Sequence, residues 1–79
     1  AQIEQAWRNV LSVLDAAGMG PRDLVKVTTF LVNRADLPTA RAVRDRMLQG
    51  AEPASTLIFV AGLASPQWQV EIEAIAAAA

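Results

Sequence analysis

The run Leu24–Val32 (LVKVTTFLV) constrains the fold of this chain more than any other part of it. β-Branched and aromatic residues dominate it and no glycine, proline or asparagine interrupts it, which is the pattern of a strand. Alternation places Val25, Val27, Thr29 and Leu31 on one face, and Leu24, Lys26, Thr28, Phe30 and Val32 on the other. Both faces carry large apolar side chains, so a central strand covered on both sides is predicted. Such a strand needs neighbours to bond its edges and a layer to cover it.

The flanking sequence offers both. From Ala1 to Ala17 the residues Ile3, Trp7, Val10, Leu11 and Leu14 recur at three- and four-residue steps, the mark of an amphipathic helix. Glu4 stands four residues before Arg8, an order that favours a surface ion pair. Gly18 ends this helix, and Gly20-Pro21 prevents its resumption. A turn over residues 33–36 leads to a second helix, with Asp36 as its cap and Pro38 in its first turn. Leu37, Ala40, Val43 and Met47 form the apolar stripe of this helix, Arg41, Arg44 and Asp45 face outward, and Gly50 closes it. Strands are predicted at Ser55–Val60 and Trp68–Ala76, joined by a turn over Gly62–Pro66 and paired as an antiparallel hairpin. The alanines from Ala76 read as a strand end with a frayed tail. The order is helix, strand, helix, strand, strand: an α/β sandwich with two helices on one face of one sheet. The other face, also apolar, then needs a cover from a partner subunit or from further chain.

Size and composition narrow the chemistry. In a domain of 79 residues folding hides only about 60% of the unfolded chain's surface, so help from elsewhere is expected. Cysteine and histidine are both absent. That removes disulfides, thiolate or imidazole zinc sites, and nucleophiles activated by histidine. Oligomerisation is the help left over. Lys+Arg 7 against Asp+Glu 8, with the cations scattered, gives no footprint for nucleic acid or for an anionic membrane. No apolar stretch is long enough to span a bilayer and no signal-peptide pattern opens the chain, so a soluble, cytoplasmic protein is expected. The helical pattern already runs at Ile3 with no capping residue before it, and a start that is cut or incomplete is expected.

Five segments, in order, resemble the Rid family (reactive intermediate deaminases, YjgF-like, historically labelled L-PSP endoribonucleases). They are Gln5 and Asn9 with Leu14-Asp15-Ala16-Ala17-Gly18; Asp23-Leu24-Val25-Lys26-Val27-Thr28; Asp36-Leu37; Pro53-Ala54; and Val60-Ala61-Gly62-Leu63 with Val70-Glu71-Ile72-Glu73-Ala74-Ile75-Ala76. The resemblance implies a Rid-like (chorismate mutase-like) α/β subunit that assembles as a homotrimer, with small-molecule clefts between subunits and no metal or organic cofactor. The activity it implies is that of a hydrolase, the deamination of enamines and imines such as 2-aminoacrylate to 2-oxo acids and ammonia. It further implies N-terminal strands that this sequence does not contain, so residues 1–79 are read as one N-terminally incomplete domain.

The same resemblance assigns the candidate site. In better-known members the residue after Pro-Ala is an arginine that clamps the substrate carboxylate by two parallel hydrogen bonds. Here that position is Ser55, which carries no charge. Glu71 matches the glutamate that assists hydrolysis; the alternative is that Glu71 and Glu73 merely line the wet side of a strand. Ser55 and Thr56 offer hydroxyls to a ligand, or serve only local backbone bonds. Leu57 matches a position whose backbone faces the ligand. Arg41 falls where relatives often carry a cleft-lining asparagine, and so could replace the lost cation; beside Arg44 and Asp45 it also reads as a solvated face. Trp7 and Trp68 read as core or interface anchors. The ribonuclease label finds no support, for there is no histidine, basic stripe or aromatic platform. Three functions follow: a deaminase with altered preference, a non-catalytic metabolite-binding trimer, or a structural homotrimer.

Overall fold

The computed structural model describes residues 2–78. Helix α1 spans Gln2–Ala16, strand β1 Leu24–Leu31, helix α2 Leu37–Leu48, strand β2 Ala54–Phe59 and strand β3 Val70–Ala76, with short 3-10 turns at Pro21–Asp23 and Arg34–Asp36. The expected α/β sandwich, helix-strand-helix-strand-strand with both helices on one face, is the architecture observed. The predicted helix start at Ala1 and the last residue of the alanine tail, Ala79, lie outside the described residues.

Helix α1 buries Ile3, Trp7 and Leu14. Its C-terminus closes through Gly18 at φ 75°, with Gly18 N–H donating to Asp15 C=O at 2.9 Å and Met19 N–H to Leu14 C=O at 2.8 Å. This pair of bonds satisfies two carbonyls that the helix end would otherwise leave orphaned. A Cβ at Gly18 would meet nothing within 4 Å, so only the backbone conformation requires glycine there. We expect Gly18→Ala to cost about 1 kcal/mol in chemical denaturation. Gly62, equally uncrowded but with no positive φ, should tolerate alanine with a change under about 0.5 kcal/mol.

The sheet order is β2-β1-β3, with β1 parallel to β2 and antiparallel to β3. This corrects the predicted hairpin: β2 and β3 do not pair but flank β1 on opposite sides. Helix α2 makes the crossover that a parallel β1–β2 pair needs. The link from β2 to β3 then passes the end of β1, held by Val60 N–H to Leu31 C=O at 2.8 Å and Val32 N–H to Gln69 C=O at 3.2 Å. The strand therefore begins at Val70, later than expected, and Trp68 stands in the link with 52% of its surface exposed, not as a core anchor. The tail is tied at Ala77, whose N–H donates to Asp23 C=O at 2.9 Å.

The core lies between helices and sheet: Ile3, Trp7, Leu14, Leu24, Val27, Leu31, Ala40, Val43 and Leu48. Leu24 and Val25 exchange the faces predicted for them. A register shift between Leu24 and Lys26, where Leu24 pairs with Ala76 and Lys26 with Ile75, turns Leu24 inward and leaves Val25 exposed. The face of the sheet away from the helices is covered by none of the described residues, and so remains the face for which a cover from a partner subunit or further chain is expected. Val25, Ile58 and Ile75 lie open there, while Thr28 is shielded by the strands beside it.

Two predicted polar contacts also differ. Glu4 pairs with Arg46 of α2 in place of Arg8, which fastens the two helices together. Asp36 makes no side-chain cap to α2; the Asn33 side chain instead accepts from Ala35 N–H at 3.0 Å and caps the preceding 3-10 turn.

Candidate functional site

Register fixes where each candidate residue stands. Side by side across the sheet lie Ser55, Val27 and Ala74; then Thr56, Thr28 and Glu73; then Leu57, Thr29 and Ile72; then Ile58, Phe30 and Glu71. Val27 belongs to the core beneath the helices, so the Ser55 and Leu57 rows face the helix layer, while the Thr56 and Glu71 rows face the open side.

Ser55 is nevertheless exposed, because it lies on the edge strand where the helix layer does not reach it. Leu57 packs half-buried against the core. As an edge strand, β2 also leaves alternate backbone groups on its outer side unpaired within the chain, Leu57 lying in this stretch. Thr56 is exposed on the open face. Glu71 is exposed on the same face of β3 and sits at the rim of an open groove of about 400 Å³ between α1 and β3, whose apolar walls include Val10, Val13 and Ile72.

Arg41 is exposed on α2. Among the described residues the ion pairs are Arg44–Asp45 and Arg46–Glu4, so Arg41 has no carboxylate partner there. Arg46 reaches Glu4 on α1, which defines the flank of α2 that faces α1. At 3.6 residues per turn Arg41 lies about 140° round the axis from Arg46, on the flank turned away from α1. Since α1 packs against β3 and the sheet order is β2-β1-β3, that flank is on the β2 side. Ser55 and Arg41 thus both lie on the β2 side of the protomer.

Glu71 does not join them. It is two strands from Ser55, about 10 Å across the sheet, and three rows along, about another 10 Å, which makes roughly 14 Å between backbones on opposite faces. One small molecule cannot touch both within a protomer. Among the described residues no group of three or more carboxylates gathers as a metal site, and no helix is long and apolar enough to cross a membrane.

Sequence reasoning missed Arg34, whose guanidinium stands 4.5 Å from the centre of the Phe59 ring at the end of the β1–β2 pair. It also missed Gln2, whose side chain accepts from Gln69 N–H at 2.8 Å and donates to Gln67 C=O at 3.0 Å. Both contacts join residues far apart in sequence, and no local pattern announces them.

Comparison with known proteins agrees with this architecture. The family model described as Endoribonuclease L-PSP matches residues 1–78. The 2-iminobutanoate/2-iminopropanoate deaminase of Dermatophagoides farinae is 35% identical over 74 residues, which is 94% of this chain and 57% of that protein. The mouse protein of the same name is 36% identical over 75 residues, covering 95% and 55%. The chain therefore spans little more than half the length of these curated relatives. Among solved structures, the Rid-family protein YyfB of Yersinia pestis superposes with a TM-score of 0.89 at 39% identity, covering 96% of this chain and 59% of that one. TdcF of E. coli, solved with bound serine, gives 0.89 at 29% identity, covering 98% and 62%. With its full described fold and nearly its whole sequence matched in this way, the chain belongs to the Rid (Endoribonuclease L-PSP) family.

Proposed function

We propose that this chain carries the cleft-forming part of a Rid subunit that binds small 2-imino, enamine-derived or other small carboxylate metabolites between the subunits of a homotrimer, with deaminase chemistry weakened by Ser55. The observation that carries the reading is the separation of Ser55 and Arg41 from Glu71. Two half-sites on opposite faces of one sheet serve one ligand only if a neighbouring copy brings its Glu71 to the Ser55–Arg41 region. The open sheet face, with Val25, Ile58 and Ile75 exposed, supplies apolar area for that association. The names of the relatives and the serine bound to TdcF support small amino- or imino-acid chemistry.

In such a cleft Arg41 meets the carboxylate and Ser55 offers its hydroxyl, while Thr56, on the opposite face of β2, offers its own from the open side where the neighbouring subunit packs. The Leu57 backbone orients the ligand. Water adds to the imine carbon and ammonia leaves, giving the 2-oxo acid; Glu71 takes the proton from water and returns it to the departing nitrogen. No cofactor enters this scheme, and it suits a cytoplasmic protein. A second reading, a trimer that binds metabolites without turning them over, is favoured by Ser55 itself, since a neutral hydroxyl cannot make a bidentate clamp.

Light scattering with equilibrium binding of 2-oxobutanoate tests the proposal. A trimer binding one ligand per subunit is expected, with affinity lowered about tenfold or more by Arg41→Ala while the assembly persists. A monomer, or binding unchanged in Arg41→Ala, would overturn it.

A further inference from the structure

We infer that the outer edge of β3, with the groove between it and α1, docks an extended segment of a partner polypeptide as a fourth strand, which turns apolar side chains toward α1 and a cation toward Glu73. The lining of the groove places it at that edge. Ile72 and Ala74 face the helix layer and Glu71 faces the open side, yet all three border the same space. Residues from both faces of one strand line one groove only where no neighbouring strand stands between them. In the order β2-β1-β3 that is the side of β3 away from β1.

Both walls offer what an added strand uses. Every second residue of Val70–Ala76 turns its backbone N–H and C=O away from β1, and no other strand among the described residues bonds them. The helix wall is the stripe Ala6, Val10 and Val13, spaced by four and three. It is distinct from Ile3, Trp7 and Leu14, which α1 buries against the sheet, and Val13 is 70% exposed. The lining runs from Ala6 to Leu14 on the helix, about 12 Å, and from Val70 to Ala76 on the strand, about 20 Å. That length takes about four residues of extended chain, whose alternate side chains meet the helix wall.

Charge decides which strand fits. Glu71 and Glu73 stand two apart on the open face, and their neighbours on β1 are Phe30 and Thr28, which carry no charge. The ion pairs among the described residues, Arg44–Asp45 and Arg46–Glu4, include neither glutamate. An added strand brings a side chain to within about 4.5–5.5 Å of its opposite number, where an opposite charge strengthens the pairing and a like charge opposes it. Glu73 is the middle residue of β3, so any strand that pairs with most of β3 must face it. A second copy of this chain is a poor occupant for the same reason: antiparallel pairing of the whole of β3 with itself sets Glu73 against Glu73. A basic residue at that place, between apolar residues that enter the groove, complements both walls.

Fluorescence anisotropy with synthetic peptides tests the inference. The probe is a short labelled peptide with valine at alternate positions, threonine at the others and one lysine in place of the central threonine. Saturable binding of one peptide per subunit is expected, weakened about fivefold or more when glutamate replaces the lysine. Proline in place of the central valines removes ladder donors and should abolish binding. Val13→Asp, a change at an exposed position, should weaken binding about tenfold with the helical circular dichroism unchanged. Glu73→Lys should reverse the preference, so that the glutamate peptide binds the more tightly, a result that mere adhesion of apolar peptides does not produce. Failure of the lysine peptide to bind, undiminished binding of the proline peptide, or a preference that Glu73→Lys leaves unchanged overturns the inference. Loss of peptide binding as protein concentration rises also overturns it, by showing that copies of this chain occupy each other's edge.

Discussion

Replacing Trp7 by alanine should lower the melting temperature by roughly 15–30 °C, the largest stability effect expected from a single side chain here. Trp7 is 1% exposed and sits in the cluster where α1 meets the sheet and α2. Truncating a buried tryptophan to alanine typically costs about 3–5 kcal/mol, because the transfer energy of the ring is lost and a cavity remains. For a chain of 79 residues the whole stability is only about 4–12 kcal/mol, so the variant approaches the point of unfolding. Trp68→Ala is the natural comparison. That indole is 52% exposed in the link before β3, and its loss should change the isolated subunit's stability by less than about 1 kcal/mol. Circular dichroism melts of the two variants check the assignment. Similar melting temperatures would mean that Trp7 does not anchor the core.

The contrast between these tryptophans shows what the sequence could and could not convey. Ile3, Trp7, Val10, Leu11 and Leu14 carry a helical period, and the period alone places Trp7 inward. Trp68 sits outside any such period, and its fate depended on where β3 began. The elements themselves were legible for the same reason: LVKVTTFLV has no other stable reading, and Gly18 and Gly50 mark the helix ends. Pairing was not legible. Nothing local in β2 or β3 states that each bonds β1 rather than the other, and only the α2 crossover and the long link decide it. A one-residue register shift at Val25 likewise reversed two faces, since alternation errs by a full face when one residue is added.

The candidate site was legible only in part. The resemblance supplied Ser55, Thr56, Leu57, Arg41 and Glu71, but a list of residues contains no faces. Register separates Ser55 from Glu71 by two strands and a change of face, and the partner of Arg46 on α1 orients Arg41. These are long-range relations, so the sequence held no signal for them beyond the family pattern itself.

The largest expected change in function comes from restoring the arrangement the family pattern implies. In that pattern an arginine follows Pro-Ala and a neutral residue stands on the helix; here Ser55 and Arg41 reverse the charges. A guanidinium on the rigid edge strand makes a planar, preorganised clamp, whereas one on the helix must reach over and lose side-chain entropy of up to about 2 kcal/mol in doing so. A contact to a desolvated carboxylate is worth a few kcal/mol, which corresponds to about two orders of magnitude in rate. Inserting the arginine alone would add a second cation on the β2 side that carries Arg41, so the informative variant carries both exchanges, Ser55→Arg with Arg41→Asn.

The central claim, that the proposed deaminase chemistry is limited by the missing strand arginine, is tested most directly by the rate of 2-aminoacrylate hydrolysis in the unaltered and doubly exchanged proteins at equal subunit concentration. The double variant is expected to be faster by about a hundredfold, with Glu71→Gln in that background returning the rate toward the unaltered level. An unaltered protein that matches the double variant would contradict it.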